Sequence, residues 1–327
     1  MTTTQPNLAL ILGATGGIGG EVARQMRDAA WQVRALKRGL PHEEEQRAGL
    51  TWIRGDAMSR KDVLRAARGC AVIVHAVNPP GYRHWADLVL PMLDNTVAAA
   101  IAERATIVLP GTVYNYGPDA LPTLAEDAPQ NPATRKGSIR VELERRLRIA
   151  TQLGARVIIV RAGDFFGPQP GNNWFSQGLV KPGRPVAAVN LPGNHGIGHQ
   201  WCYLPDVART MLELLRLRER LEPFANFHMS GHWDADGLQI AASVQRVVVR
   251  RTGRVPAMRK FPWRLIRLAS PFVTTPRELL EMRYLWSQPV RMTNARLVAI
   301  LGREPHTALD EAVEATLVGL GCLPAAE

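Results

Sequence analysis

Residues 7–20 read NLALILGATGGIGG: an apolar run, then Gly13, Gly16 and Gly19 at the spacing GxxGxxG, then a helical pattern through EVARQMRDAA. A continuous apolar run, without the alternation of a half-exposed strand, marks a strand covered on both faces. A glycine-rich turn between such a strand and a helix has the physical logic of a dinucleotide site. One glycine permits the tight turn, one lets a pyrophosphate approach the backbone, and one lets helix and strand pack closely, while the helix amino end offers free N–H groups and a positive dipole. Gly13, Thr15, Gly16, Gly17, Ile18 and Gly19 are therefore the expected cofactor-binding residues of this loop.

The same rhythm continues outward. WQVRALKR, a turn, TWIRG, a helix through SRKDVLRAARG, the apolar run CAVIVHAV, a helix through DLVLPMLDNTVAAAIAER, TIVLPG, a further helix and RVIIVRAG follow in order. Apolar strands alternating with amphipathic helices predict an α/β fold with a doubly wound parallel sheet, since right-handed crossovers place helices on both faces. After residue 166 the rhythm breaks into loop-rich FGPQPGNNWFSQG and KPGRP, and the tail reads as mainly helical. The expected organisation is a dinucleotide-binding domain over 1–165, with 199–227 returning to it, and a smaller substrate-binding lobe from 166–198 and 228–327.

Composition sets the remaining bounds. The chain has 327 residues, 46% hydrophobic and 21% charged, and a net charge of +11. No uncharged run approaches the ~18 residues of a membrane span, and the start MTTTQPNLALILGATGG lacks the basic segment of a secretory signal. A cytoplasmic protein with no membrane partner is expected. Arginines spread from Arg24 to Arg303 rather than clustering on one element, which argues against a nucleic-acid partner and leaves an anionic small-molecule substrate compatible. Three distant cysteines imply neither disulfides nor a thiolate metal site. His195 and His199 in NHGIGH lack the spacing of a helical metal pair, so no metal is expected.

The second strand ends RALKRG, without the Asp or Glu that would grip a ribose 2′-hydroxyl. Lys37 and Arg38, with Arg34 nearby, would instead meet a 2′-phosphate, which points to NADP(H). The alternative is a solvated basic turn.

Five stretches now stand in order: GATGGIG, GDA at 55–57, VIVHAV, GTVYNYGP and RAGDFFGP. Together they resemble the extended short-chain dehydrogenase/reductases, the NAD-dependent epimerase/dehydratase family, over residues 7 to 210, with a looser likeness in LGREPHTALDEAVEATL. The resemblance implies a Rossmann-like sheet, Asp56 and Ala57 at the adenine, Ala76 and Val77 along the ribose and phosphates, Asn95 bracing the site, and Gly163, Asp164 and Phe165 at the nicotinamide end. It also implies a homodimer through the fourth and fifth helices, and substrates that are often nucleotide sugars. As residues alone, Ala76, Val77 and Phe165 read equally as core and Asp56 as a helix cap.

The family's reaction uses a YxxxK pair on the fifth helix and a Ser or Thr after the fifth strand. Here PATRKGSIRVELE places Pro132, Lys136, Arg140 and Glu144 on that frame, so Lys136 stands where the tyrosine is expected and Arg140 where the lysine is, with Thr112 the nearest hydroxyl. In one reading Lys136 donates the proton, its charge opposed by Arg135, Arg140 and the helix amino end, and Arg140 holds the cofactor; isoflavone reductase-like proteins resemble this solution. In a second, Tyr114 or Tyr116 supplies the hydroxyl. In a third nothing there is catalytic, Arg140 and Glu144 form an exposed pair, and the protein is a redox-sensing or partner-binding NADP(H) module. The expected function is NADP(H)-dependent reduction of a carbonyl, with a nucleotide-sugar epimerase or dehydratase as a further alternative. Tyr114, Asn173, Trp174, Trp201 and Tyr203, with Asn172, Trp286 and Arg291, are the expected pocket wall, and Asp206 is expected to cap its helix.

Overall fold

The computed structural model describes residues 7–79, 84–169, 171 and 173–325. The first half runs β1 (Leu8–Leu12), α1 (Gly17–Asp28), β2 (Gln32–Lys37), β3 (Glu44–Arg47), β4 (Leu50–Arg54), α2 (Arg60–Ala67), β5 (Val72–His75), α3 (Trp85–Glu103) and β6 (Thr106–Gly111). It continues through β7 (Thr123–Leu124), α4 (Arg135–Gln152), β8 (Arg156–Arg161) and β9 (Asp164–Phe166). An eight-stranded sheet has the order β12-β8-β6-β5-β1-β2-β4-β3, where β12 is Phe224–His228. Every neighbouring pair is parallel except β3 on β4.

β1 shows why this sequence builds two layers of helix. All five residues are buried. Ala9 and Ile11 enter one core with Val22 and Met26 of α1, whereas Leu8, Leu10 and Leu12 enter the opposite core with Val63 of α2, Leu93 of α3 and Leu143 of α4. Successive side chains of a strand point to opposite faces, so a run without polar residues is what a sheet covered twice requires. The chain travels outward from β1 to β4, then returns to lay β5 on the other side of β1, and this reversal opens a crevice at the carboxyl ends of the strands.

The expected turn before TWIRG contains β3, an antiparallel edge strand reading EEQR. With one edge in water and only charged or amide side chains, it has no apolar alternation to betray it.

The second half contains β10 (Ala188–Leu191), β11 (His199–Tyr203), α5 (Leu204–Arg216), the β12 strand, β13 (His232–Asp234), α6 (Gln239–Thr252), β14 (Ala257–Lys260), α7 (Trp263–Ala269) and α8 (Thr274–Glu281). It ends with β15 (Arg291–Met292), α9 (Ala295–Leu301) and α10 (Leu309–Gly319). Within 199–227, Val207 and Met211 of α5 pack into the core shared with α1, and β12 extends the large sheet, whereas β11 joins a separate three-stranded sheet with β9 and β13. Phe166, Phe175, Trp201 and Tyr203 form the heart of this second lobe, against Ile240 of α6 and Val313 of α10.

Candidate functional site

A cavity of about 740 Å³ follows the crevice from the glycine loop to the second lobe. At its first end Gly13 adopts φ +95°, and a Cβ there would lie 2.5 Å from the Ala76 carbonyl oxygen; a Cβ on Gly19 would lie 2.3 Å from that of Gly13. Only glycine fits either position. Gly16 is the N-cap of α1, with no side-chain capping bond and no acidic residue in the first turn. Thr15, Gly16, Gly17 and Ile18 line the cavity, so the uncapped amino end of α1 borders it.

Lys37 and Arg38, at the end of β2, line the same end with Asp56 and Ala57. The Arg38 side chain is 75% exposed, with Nη1 3.8 Å from Asp56 Oδ2, too loose to fix the guanidinium. Arg34 is occupied elsewhere, donating to the Arg68 carbonyl at 2.6 Å. Asp56 does not cap α2. Ser59 does, accepting from Asp62 N at 3.3 Å, while Asp56 Oδ1 accepts from Met58 N at 2.9 Å. Asn95 of α3 donates to the Ala57 carbonyl at 2.9 Å and so fixes that corner. Ala76 and Val77 line the cavity beyond β5.

Further along, Thr112, Tyr114 and Arg140 line the wall together with Gly163, Asp164 and Phe165. The Arg140 guanidinium lies 5.2 Å from the Trp85 ring centroid. Behind this wall is a network that sequence reasoning missed. Arg161, fully buried, donates through Nη2 to both Glu144 oxygens at 2.8 and 2.9 Å and through Nη1 to the Thr112 carbonyl. Asn115 Nδ2 donates to Glu144 at 2.9 Å, and Thr112 Oγ1 to Asn115 Oδ1 at 3.2 Å. Glu144 is thus the buried counter-ion of Arg161 rather than an exposed partner of Arg140. Tyr116 is buried, its hydroxyl 3.0 Å from His228 Nε2, and burial pushes its phenol up.

Lys136 is not placed as a proton donor would be. It is absent from the cavity wall, and its Nζ lies 2.7 Å from Glu278 Oε2 and 3.1 Å from Glu281 Oε2, both on α8. Its backbone N–H also donates to Glu281 at 3.2 Å. The amino end of α4, crowded with cations in the sequence, receives its anions from another helix. Nothing local in PATRKGSIRVELE announces that, because the partners lie more than a hundred residues away.

The second lobe contributes Asn173, Trp174, His199 and Gln200 to the cavity. Trp174 packs edge-on to Trp286 with centroids 5.0 Å apart. Trp201 and Tyr203 do not line it. They are buried against Phe166, and burial pushes the Tyr203 phenol up to about 12. Arg291 lies over Trp233, 5.4 Å from its centroid, and Asn172 is outside the described residues. Asp206 caps no helix; its carboxylate accepts from Thr307 N at 2.7 Å and Thr307 Oγ1 at 2.8 Å. His199 opens the wholly buried strand β11 with its Nε2 2.8 Å from Asp164 Oδ2.

Residues 9–227 match the model of the NAD dependent epimerase/dehydratase family, which is more than half the chain. The chain belongs to this family. Solved structures share its fold: MoeE5 in complex with UDP-glucose and NAD (18% identical, TM-score 0.70, covering 95% of this chain and 97% of that one), and UDP-glucuronic acid 4-epimerase from Bacillus cereus in complex with UDP-glucuronic acid and NAD (14%, TM-score 0.73, 96% and 98%). UDP-glucose 4-epimerase from Brucella ovis in complex with NAD is similar at 13% identity, with TM-score 0.73 and coverage of 96% and 98%. Among curated proteins, the uncharacterized protein y4nL of Sinorhizobium fredii is 26% identical over 204 residues, 56% of this chain and 57% of its own length. This epimerase/dehydratase-family chain has no helix, among its described residues, long and apolar enough to cross a membrane.

Proposed function

We propose that the protein is an NADP(H)-dependent oxidoreductase acting on a carbonyl or hydroxyl carbon of a small polar substrate. One observation carries this reading: a single cavity joins the glycine loop and the Lys37–Arg38 corner to the wall of Thr112, Arg140, Asn173 and His199. The loop fits a dinucleotide because Gly13 and Gly19 admit no side chain and the first turn of α1 is left uncapped. When bound, the cofactor supplies or accepts hydride. The chain's own residues do the rest. Backbone N–H groups of the loop hold the pyrophosphate, Lys37 and Arg38 meet the 2′-phosphate, Arg140 is a fixed cation beside the ribose, and Thr112 orients the substrate oxygen. Lys136, in this reading, fastens α8 to α4 rather than moving a proton.

A nucleotide-sugar substrate is the second reading. It is favoured by the fold shared with proteins whose structures hold UDP-glucose or UDP-glucuronic acid, and the net charge of +11 is compatible with a diphosphate. A homodimer through α3 and α4 belongs to the same family-based reading, and sedimentation velocity checks it. Calorimetry with NADPH, NADH and the oxidised forms tests the core of the proposal. NADPH is expected to bind more tightly than NADH, and absence of heat with all four overturns the reading.

A further inference from the structure

With Lys136 fastened to α8, the hydroxyls and imidazoles of the cavity wall are the groups left to move a proton, and one imidazole of the second lobe is held in place to do so. Strands β9 and β11 run parallel with Asp164 opposite Trp201. Side chains two apart on a strand share a face, so His199 is brought to the side of β11 that meets Asp164. Its Nε2 lies 2.8 Å from Asp164 Oδ2, and the two side chains are 10% and 20% exposed. The imidazole also stacks on Trp286, with centroids 3.8 Å apart and planes 10° from parallel, while Trp201 stands edge-on at 5.0 Å. The ring is held on one edge by a carboxylate and on one face by an indole. A flip of the ring would keep the stack but lose the carboxylate, so with Nε2 held by Asp164 the nitrogen left for exchange with a ligand is Nδ1.

We propose that His199, oriented by Asp164, exchanges a proton with the substrate oxygen in this cavity. The inference rests on the oxidoreductase reading above. Two histidines lie among the described residues that line the cavity. The other, His75, is bonded to Thr96 at 2.8 Å, and burial with the charge of Arg140 drives it down to about 3, so its acidic imidazolium form is not populated near neutrality. Arg140 stays protonated at any working pH, and the Lys136 ammonium sits between two carboxylates of α8. An imidazole whose far nitrogen is bound to a carboxylate is suited to both directions of transfer. The bound cofactor would supply a hydride to the substrate carbonyl carbon; the C=O π pair would then move to oxygen, and His199 Nδ1 would give its proton to that oxygen. The ring is left neutral with its remaining proton on Nε2 against Asp164. In the oxidative direction the neutral Nδ1 accepts the hydroxyl proton.

The test uses the full-length protein with His199→Gln and Asp164→Asn, and has two arms. The first measures NADPH affinity by calorimetry, NADPH oxidation with a panel of small aldehydes and ketones, and, in the oxidative direction, NADP+ reduction with UDP-glucuronic acid as the hydroxyl donor. His199→Gln is expected to keep NADPH affinity and lose turnover by ~100-fold or more, with kcat rather than KM carrying the loss. The second follows the His199 ring nitrogens by NMR in the protein without substrate. The neutral ring is expected to keep its proton on Nε2, and to lose that preference in Asp164→Asn. Unchanged turnover in His199→Gln overturns the inference, and so does a neutral ring protonated on Nδ1 in the wild type, which decides the matter even if no compound of the panel is reduced. Failure of the wild type to bind NADPH at all is a separate result and removes the oxidoreductase reading instead.

Discussion

The ammonium group of Lys136 lies between two carboxylates of α8, 2.7 Å from Glu278 and 3.1 Å from Glu281. The Lys136 side chain is 3% exposed, the carboxylates 19% and 26%. Removing one partner from such a pair leaves uncompensated charge in a poorly hydrated place. Lys136→Met should therefore destabilise the fold by on the order of 3 kcal/mol, read as a lowered urea midpoint, and adding Glu278→Gln and Glu281→Gln should recover part of it. A variant as stable as the wild type would mean that α8 is not held from α4.

Arg161 and Glu144 give a second prediction. Arg161 has no exposed surface and Glu144 is its bidentate partner, so Glu144→Ala should cost about 3–5 kcal/mol. Because Arg161 also holds the Thr112 carbonyl, the loss should reach the cavity wall, and thermal unfolding with and without NADPH checks both effects.

The cofactor corner can be tested by difference. Arg38→Ala should weaken NADPH binding by about tenfold or more, the scale of one charged hydrogen bond, and leave NADH within about twofold. Equal losses for both nucleotides would remove the 2′-phosphate from the proposal.

Two glycines share φ +95° but not their surroundings. A Cβ on Gly13 would strike the Ala76 carbonyl at 2.5 Å, whereas one on Gly154 meets nothing within 4 Å. Gly154→Ala should cost only the backbone strain, ~1 kcal/mol, with NADPH affinity unchanged. Gly13→Ala should cost more and abolish measurable binding in the same titration.

Stability should also fall in mild acid. Burial pushes His75 and His228 from 6.5 down to about 3 and His232 down to about 4. All three are neutral in the folded protein and take up a proton near their ordinary value once unfolded, so the unfolded chain binds more protons as pH drops. Their contribution is complete above about pH 6.5 and is lost progressively toward pH 3–4, amounting to on the order of 1–2 kcal/mol per histidine at about pH 5. Urea midpoints at neutral pH and at about pH 5 measure it, and His228→Gln should flatten the slope.

How much of this was legible in the sequence depends on how far apart the interacting residues lie. β1 and the glycine loop were, because strand burial and a tight turn are written in adjacent residues. So was the α/β order, since each crossover keeps its own periodicity. β3 was not, because a charged edge strand has no apolar face to show. The cavity residues near β1 and β5 were found through the ordered motifs and those after β2 through the absence of an acidic residue there, but Trp201 and Tyr203 were placed in the wall when they belong to the core, since aromatic content does not say which face of a strand meets the ligand. The partners of Lys136, Arg161 and His199 lay beyond any local window: each pairing joins segments 17 to 145 positions apart, and only the fold brings them together.

The short stretch 278–286 supplies both carboxylates that hold Lys136 and, in its final turn, the indole on which His199 rests. One span of nine positions is therefore a common hinge pin for the two walls of the cleft. The amino end of α4 and the imidazole of β11 are thus seated on one short segment, at Glu278 and Glu281 on one side and at Trp286 on the other.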